Sequence, residues 1–449
     1  MELPWIARTA RWCAEHPGRT LTAWLMFTAS VVLGATRSGL RFAQGSGQAG
    51  TVVATDPGRI VALGTPVVLL LLLAVLGSVL LTVVAALFVA SVLGAALGLL
   101  VLLSPTLPVS PLACDVVVLL GVVVSVDHLL FSVRRHQEAV AAGHRAPDAA
   151  QVVASTAGRT ALVSGIAILL SMTGLYLVGD AMLAPVAFGA ILVVATATCA
   201  ALTLLPALLA LIRVPVRRPF QRTPPSWARW VARHVPLAAA RMVTPVLALL
   251  ALSGLVRLLS AAACAEADPA CPPYLSPNAV LALLLMIALS VLVLLIAFRP
   301  ILVALATTLL AILSALVALG LLASQVTPVP AWAPMALLVV LAGPSTDIHV
   351  YLLHHFRSEA LTGMSPRNAM ARGVRRSAGA IGGCVLIAFG ACVAFGLAST
   401  GEFRAFGWSA AAALLVDAVV VRVLVLPALI SVGGRLSWWD RKPAARRES

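Results

Sequence analysis

The sequence predicts an all-α polytopic membrane protein, with about twelve transmembrane helices in two parallel six-helix pseudo-repeats. Three observations carry this expectation. Of the 449 residues, 61% are hydrophobic and only 10% charged, and the mean hydropathy is +1.04, outside the balance of a soluble domain. The net charge of +15 comes almost wholly from arginine, with Lys442 the only lysine. These arginines cluster between apolar runs, which is a positive-inside pattern and not a nucleic-acid-binding stripe. Finally, VSVDHLLFSVRRHQEAVAAG at 124–143 and PSTDIHVYLLHHFRSEALTG at 344–363 follow one template, with aspartate fourth, basic residues beyond it, then a glutamate and a closing glycine.

Residues 1–18 read as an amphipathic interfacial segment, in which Trp5, Thr9, Trp12 and Cys13 share a helix face opposite Arg8, Arg11 and Glu15. No small-residue cleavage site is clearly placed there, so the first span is expected to stay in the chain. A span takes about 20 apolar residues. The first six lie near 19–36, 60–79, 81–103, 112–133, 160–178 and 184–212, forming a repeat over 19–212. No charge interrupts 60–103, so its division into two spans near Gly77 and Ser78 rests on length.

A basic cytoplasmic linker, 213–237, carries RWVARHVP (229–236), which echoes RWCAEHP (11–17) and reads as a second interfacial helix. The second repeat, 238–430, has spans near 238–260, 279–298, 301–324, 332–354, 380–398 and 405–430, and a basic cytoplasmic tail fills 431–449. With both termini in the cytoplasm, the arginine-rich connections from Arg134 to Arg159, Arg213 to Arg241 and Arg357 to Arg376 all fall on one side. The preference for arginine over lysine fits the plasma membrane of a GC-rich bacterium.

Ionisable groups at bilayer depth are costly and by default mark an ion or substrate pathway. Asp127 in the fourth span and Asp347 in the tenth are such groups, and the shared template makes them symmetry mates that should approach each other near an axis along the membrane normal. In low dielectric a carboxyl group favours its neutral form, so it is able to load and unload a proton. His128 adds a second group that titrates near neutrality and is read as reaching across towards Asp347. Asp417 and Arg422 in the twelfth span are a candidate intramembrane charge pair, at a spacing that is imperfect for a helix.

These residues, with LTLLPALLAL and LLVDAVVVRVLVLPAL, resemble the MMPL branch of the resistance-nodulation-division superfamily, whose members are proton-driven exporters of lipids and hydrophobic molecules. In that family, Asp-Tyr pairs on spans 4 and 10 are taken to form the proton relay. The resemblance gives Asp127 and Asp347 the carboxylate role, while the tyrosine positions hold His128 and Ile348. Tyr351, one helical turn from Asp347, is the preferred substitute for the missing hydroxyl. The resemblance also implies a substrate groove beside spans 7 to 9, with Arg257 near its outer end either holding an anionic headgroup or snorkelling to the interface.

The family places a large extracytoplasmic porter domain between spans 1 and 2 and another between spans 7 and 8. Here those connections are only about residues 37–59 and 261–278, too short to bury a core. Three readings stay open: lipid moves along the spans themselves, a separate extracytoplasmic partner protein supplies the porter function, or the chain is a non-transporting scaffold or regulator that binds lipid or protein. On the outer side, Cys264 and Cys271 either form a disulfide across the turn at Pro269 or remain thiols.

The sequence carries no phosphate-cradling Gly-Lys-Ser/Thr loop and no close metal-ligand spacing. A transporter rather than an enzyme is expected, without cofactor or nucleic acid, with protons and membrane lipids as partners.

Overall fold

The computed structural model describes residues 4–38, 57–107, 109–177, 183–211, 249, 251–256, 277–298, 301–326, 329, 332–341, 351 and 366–418. Every extended element among them is helical, and no strand occurs among the described residues. The helices are α1 (Pro4–Glu15), α2 (Pro17–Ser38), α3 (Pro57–Leu76), α4 (Val79–Leu103), α5 (Pro111–Ala141), α6 (Ala146–Val153), α7 (Arg159–Leu177), α8 (Leu183–Leu202) and α9 (Leu204–Leu211). They continue with α10 (Pro277–Phe298), α11 (Ile301–Ala323), α12 (Pro366–Ala398) and α13 (Gly401–Val416). A π-helical turn, Ala154–Gly158, joins α6 to α7, and shorter helical stretches lie at 251–256 and 333–341.

Five helical segments among the described residues are long and apolar enough to cross a membrane: Val79–Leu103, Leu112–Ala141, Pro147–Leu177, Leu183–Leu202 and Gly379–Ala398. Outward residues on α3, α4, α10 and α11 make the same point. Leu70, Val79, Leu284 and Leu309 are all more than half exposed, which is stable only where the surrounding solvent is itself apolar. The chain is a helical membrane protein.

The uncharged stretch 60–103 divides where length predicted. Gly77 takes a left-handed conformation (φ 62°), which glycine adopts without a Cβ clash, and its N–H donates to the Leu73 carbonyl at 2.8 Å, closing α3. Ser78 is then extended and caps α4, its Oγ accepting from the Leu81 N–H at 3.4 Å. The sixth predicted span is not one helix, because it turns at Thr203 between α8 and α9. Pro206 has no N–H to give the Leu202 carbonyl, so the helix cannot run straight through.

One expectation about α1 is corrected. Cys13 does not share the tryptophan face; it is buried with Ile6, Ala10 and Ala14 against α6 and α9. Trp5 and Trp12 are exposed, and Trp12 stacks on His16 with ring centroids 5.1 Å apart. The Arg11 guanidinium pairs with Glu15 at 2.7 Å on a third face. Helical periodicity separates apolar from charged residues, but a protein-facing side and a lipid-facing side are both apolar.

The bundle centres on α5, which packs against α4, α8 and α12. Besides the packing of α5 on α12, two further contacts join the halves of the sequence: α3 lies on α12, and α7 lies on α10. Both are seated on glycine. A Cβ at Gly174 would sit 3.2 Å from the Leu285 and Leu289 side chains of α10, and one at Gly390 would collide with Leu71 of α3. Small residues of this kind let helices approach where no hydrophobic effect drives them together.

Candidate functional site

Position 127 falls midway along α5, the most enclosed helix of the bundle. Asp127 is 1% exposed and His128 2%, and Ser125 is fully buried. The helix that holds them is fixed at its N-terminal end by Ser110, whose Oγ accepts from the Ala113 N–H at 3.2 Å, and by Pro111 in the first turn. At its other end Arg135 donates to Glu138 at 2.7 Å and, through Nε, to Thr156 Oγ1 of the π turn at 3.2 Å, while Arg134 pairs with Glu138 at 3.5 Å. The carboxyl group therefore sits in a helix held at both ends.

Tyr351 is the third predicted site residue that the structure brings here. It is buried, and its ring stacks on Phe131 with centroids 3.9 Å apart and planes 6° from parallel. Phe131 follows Asp127 by one helical turn. Within the shared template, Phe131 and Tyr351 both stand eighth, so the stacked rings are equivalent positions of the two stretches. Asp347, its neighbour Ile348, Arg257, Arg422, Cys264 and Cys271 lie outside the described residues.

Asp417 is buried at 2% exposure on the turn that closes α13, and the partner found for it is Ser314 of α11, whose Oγ donates to Oδ1 at 2.7 Å. Ser314 Oγ is also 3.0 Å from the Leu310 carbonyl, and its single hydrogen serves one acceptor at a time. Reading along one helix for a partner of Asp417 led to Arg422 and missed Ser314, 103 residues away. The only signal was a lone serine inside an apolar run. Asp115, buried near the N-terminal end of α5, was also missed.

Among the described residues no group of three or more histidine, cysteine, aspartate or glutamate side chains is placed to hold a metal ion. Cys384 and Cys392 are buried within the apolar core, where thiols behave as small hydrophobes. The chemistry available at Asp127 is proton binding.

Residues 48–242 and 271–449 match the model of the MMPL family. The chain belongs to the MMPL family. Its members are transporters of the resistance-nodulation-division type rather than enzymes. The heme uptake protein MmpL11 of Mycobacterium tuberculosis is 33% identical over 176 residues, covering 37% of this chain and 18% of that protein. The mycolic acid-containing lipids exporter MmpL11 of Mycolicibacterium smegmatis is 35% identical over 145 residues, 32% of this chain and 15% of that one. The trehalose monomycolate exporter MmpL3 of Mycobacterium tuberculosis is 31% identical over 160 residues, 36% and 17% respectively. The aligned part is thus under a fifth of the length of each of these MMPL relatives. In fold the chain resembles SecDF of Thermus thermophilus, a translocon-associated membrane protein, with a TM-score of 0.70 at 16% identity over 83% of this chain and 61% of that one.

Proposed function

We propose that this MMPL protein is a proton-coupled transporter that moves lipid or another hydrophobic molecule across the bacterial plasma membrane. The observation that carries the reading is the burial of Asp127 at the centre of an apolar bundle, since a carboxyl group is kept at such a position, against its desolvation cost, when its protonation is used. The proposed partner is Asp347, with His128 in the relay between them and Tyr351 supplying a hydroxyl beside it. The lipid exporters among its relatives support the substrate class.

The proposed frame is twelve spans in two parallel repeats, 19–212 and 238–430, with the interfacial segment 1–18, the linker 213–237 and the tail 431–449 all cytoplasmic. Two features support it. The stacked rings Phe131 and Tyr351 are template equivalents, and equivalent residues meet only at a symmetry axis. The contacts α3 with α12 and α7 with α10 join the second span to the eleventh and the fifth to the eighth. Under a six-span repeat these are one contact made twice.

The short connections at 37–59 and 261–278 leave the outward step to the spans themselves or to an extracytoplasmic partner. A groove beside spans 7 to 9, with Arg257 holding an anionic headgroup, is the proposed entry. Reconstituting the protein in vesicles loaded with a fluorescent phospholipid and imposing a pH gradient tests the reading. Proton flux coupled to lipid movement is expected. Movement only after an extracytoplasmic protein is added makes the chain a motor subunit, and the absence of both fluxes under every gradient and partner supports the scaffold reading instead.

A further inference from the structure

One face of α5 carries more polar groups than a carboxylate pair needs. Ser125, His128, Ser132 and His136 follow one another at steps of three, four and four residues, so their side chains form a single row along the helix. They are 0%, 2%, 3% and 6% exposed. Asp127 lies one residue before His128, about 100° round the helix from the row, and the row ends at His136, next to the Arg135–Glu138 pair. From Ser125 to His136 it climbs about 16 Å at 1.5 Å per residue, roughly half of a hydrocarbon core. Ser125 Oγ and His136 Nδ1 are buried without a hydrogen-bond partner, an arrangement that needs an explanation in a native structure and is met where the group works in proton chemistry.

We propose that this row is the proton's route between Asp127 and the cytoplasm, running through His128 and Ser132 to His136. The inference rests on the proton-coupled reading above. Each step is a hop without other bond changes: an imidazole takes a proton on one nitrogen and releases one from the other, and a hydroxyl accepts at a lone pair as it gives up its own hydrogen. One proton enters from Asp127 and one leaves at His136. Side chains four apart on a helix have Cβ atoms about 5–6 Å apart, within reach of a rotamer change.

Few other titratable groups lie on the elements packed around α5. Neither α4 nor α9 has any, α8 brings Cys199, α6 brings Asp148, and Tyr351 lies on Phe131. From α12 come Cys384 and Cys392, with Arg367, Arg372, Arg375 and Arg376 in its first half. On α5 itself the remaining groups are Cys114, Asp115, Arg134, Arg135 and Glu138. Among the described residues, no other titratable side chain of α5 lies on the row from Ser125 to His136.

Time-resolved infrared spectroscopy of the whole chain in phosphatidylethanolamine and phosphatidylglycerol vesicles tests the route without a transported substrate. The protonated-carboxyl band of Asp127, assigned by its loss in Asp127→Asn, is followed after a pH jump on the cytoplasmic side. Ser132→Ala and His136→Ala should each slow its response by at least about tenfold, Ser132→Thr should keep the rate, and free imidazole should restore it in His136→Ala. Unchanged rates in Ser132→Ala and His136→Ala overturn the route while leaving Asp127 as a proton carrier. Slowing in His136→Ala that imidazole does not relieve assigns a packing role and also overturns it. A spectrum with no pH-sensitive band lost in Asp127→Asn overturns the proton-coupled reading, and the route with it.

Discussion

Phe131 and Tyr351 lie face to face, 3.9 Å between centroids and 6° from parallel, although 220 residues of chain separate them. Each follows an aspartate, Asp127 or Asp347, by four residues in the sequence. A stacked aromatic pair contributes about 0.5–1.5 kcal/mol beyond its buried area. Phe131→Leu and Tyr351→Leu should therefore show a coupling energy of that size in a double-mutant cycle read by thermal unfolding in detergent. Independent, additive effects would mean that the two rings do not hold the fourth and tenth spans together.

Asp417 and Ser314 offer a separate test in the second half. Hydrogen bonds between membrane helices are worth about 0.6 kcal/mol on average and up to about 1.7, so Ser314→Ala should cost about 1 kcal/mol, measured by denaturant titration of helicity. Ser314→Thr, which keeps the hydroxyl, should cost less. A cost close to zero for Ser314→Ala would show that Asp417 is held by other groups.

Glycine sets the spacing where the halves meet. Overpacking a close contact typically costs about 1–3 kcal/mol, and Gly390→Leu would drive a branched side chain into Leu71 of α3. Gly382→Leu is the control, since nothing lies within 4 Å of a Cβ built there. The first variant should lower the melting temperature clearly and the second should not.

Much of this architecture was legible in the chain. The break between α3 and α4 could be placed near Gly77 and Ser78 because the uncharged run is too long for one span. The burial of Asp127 followed from the apolar run around it. Contacts between distant segments were not legible: Ser314 as the partner of Asp417, and the ring of Tyr351 on Phe131 instead of simply one turn from Asp347. Cys13 went to the wrong side of α1 because an apolar face does not say whether lipid or protein covers it. The row from Ser125 to His136, at steps of three, four and four residues, gains its meaning only from its burial.

The thiols should divide by location. Burial pushes the Cys13 thiol up, Thr20 opposing in part, so the reactive thiolate is scarcer at neutral pH than for an ordinary cysteine and increases as pH rises. Alkylation of Cys13 in the native protein should be slow and should accelerate with pH. For Cys264 and Cys271 both states stay open, and mass spectrometry after blocking without reduction decides: a bridged peptide would show the disulfide. Two alkylated residues there would show free thiols.

The most direct test of a proton-driven lipid transporter follows protons and fluorescent phospholipid simultaneously in vesicles holding the wild-type chain or Asp127→Asn. Asparagine keeps the shape of the side chain and cannot cycle a proton, so the variant should insert and fold normally while losing both fluxes together. Lipid movement driven by the pH gradient at an undiminished rate in Asp127→Asn would contradict the account.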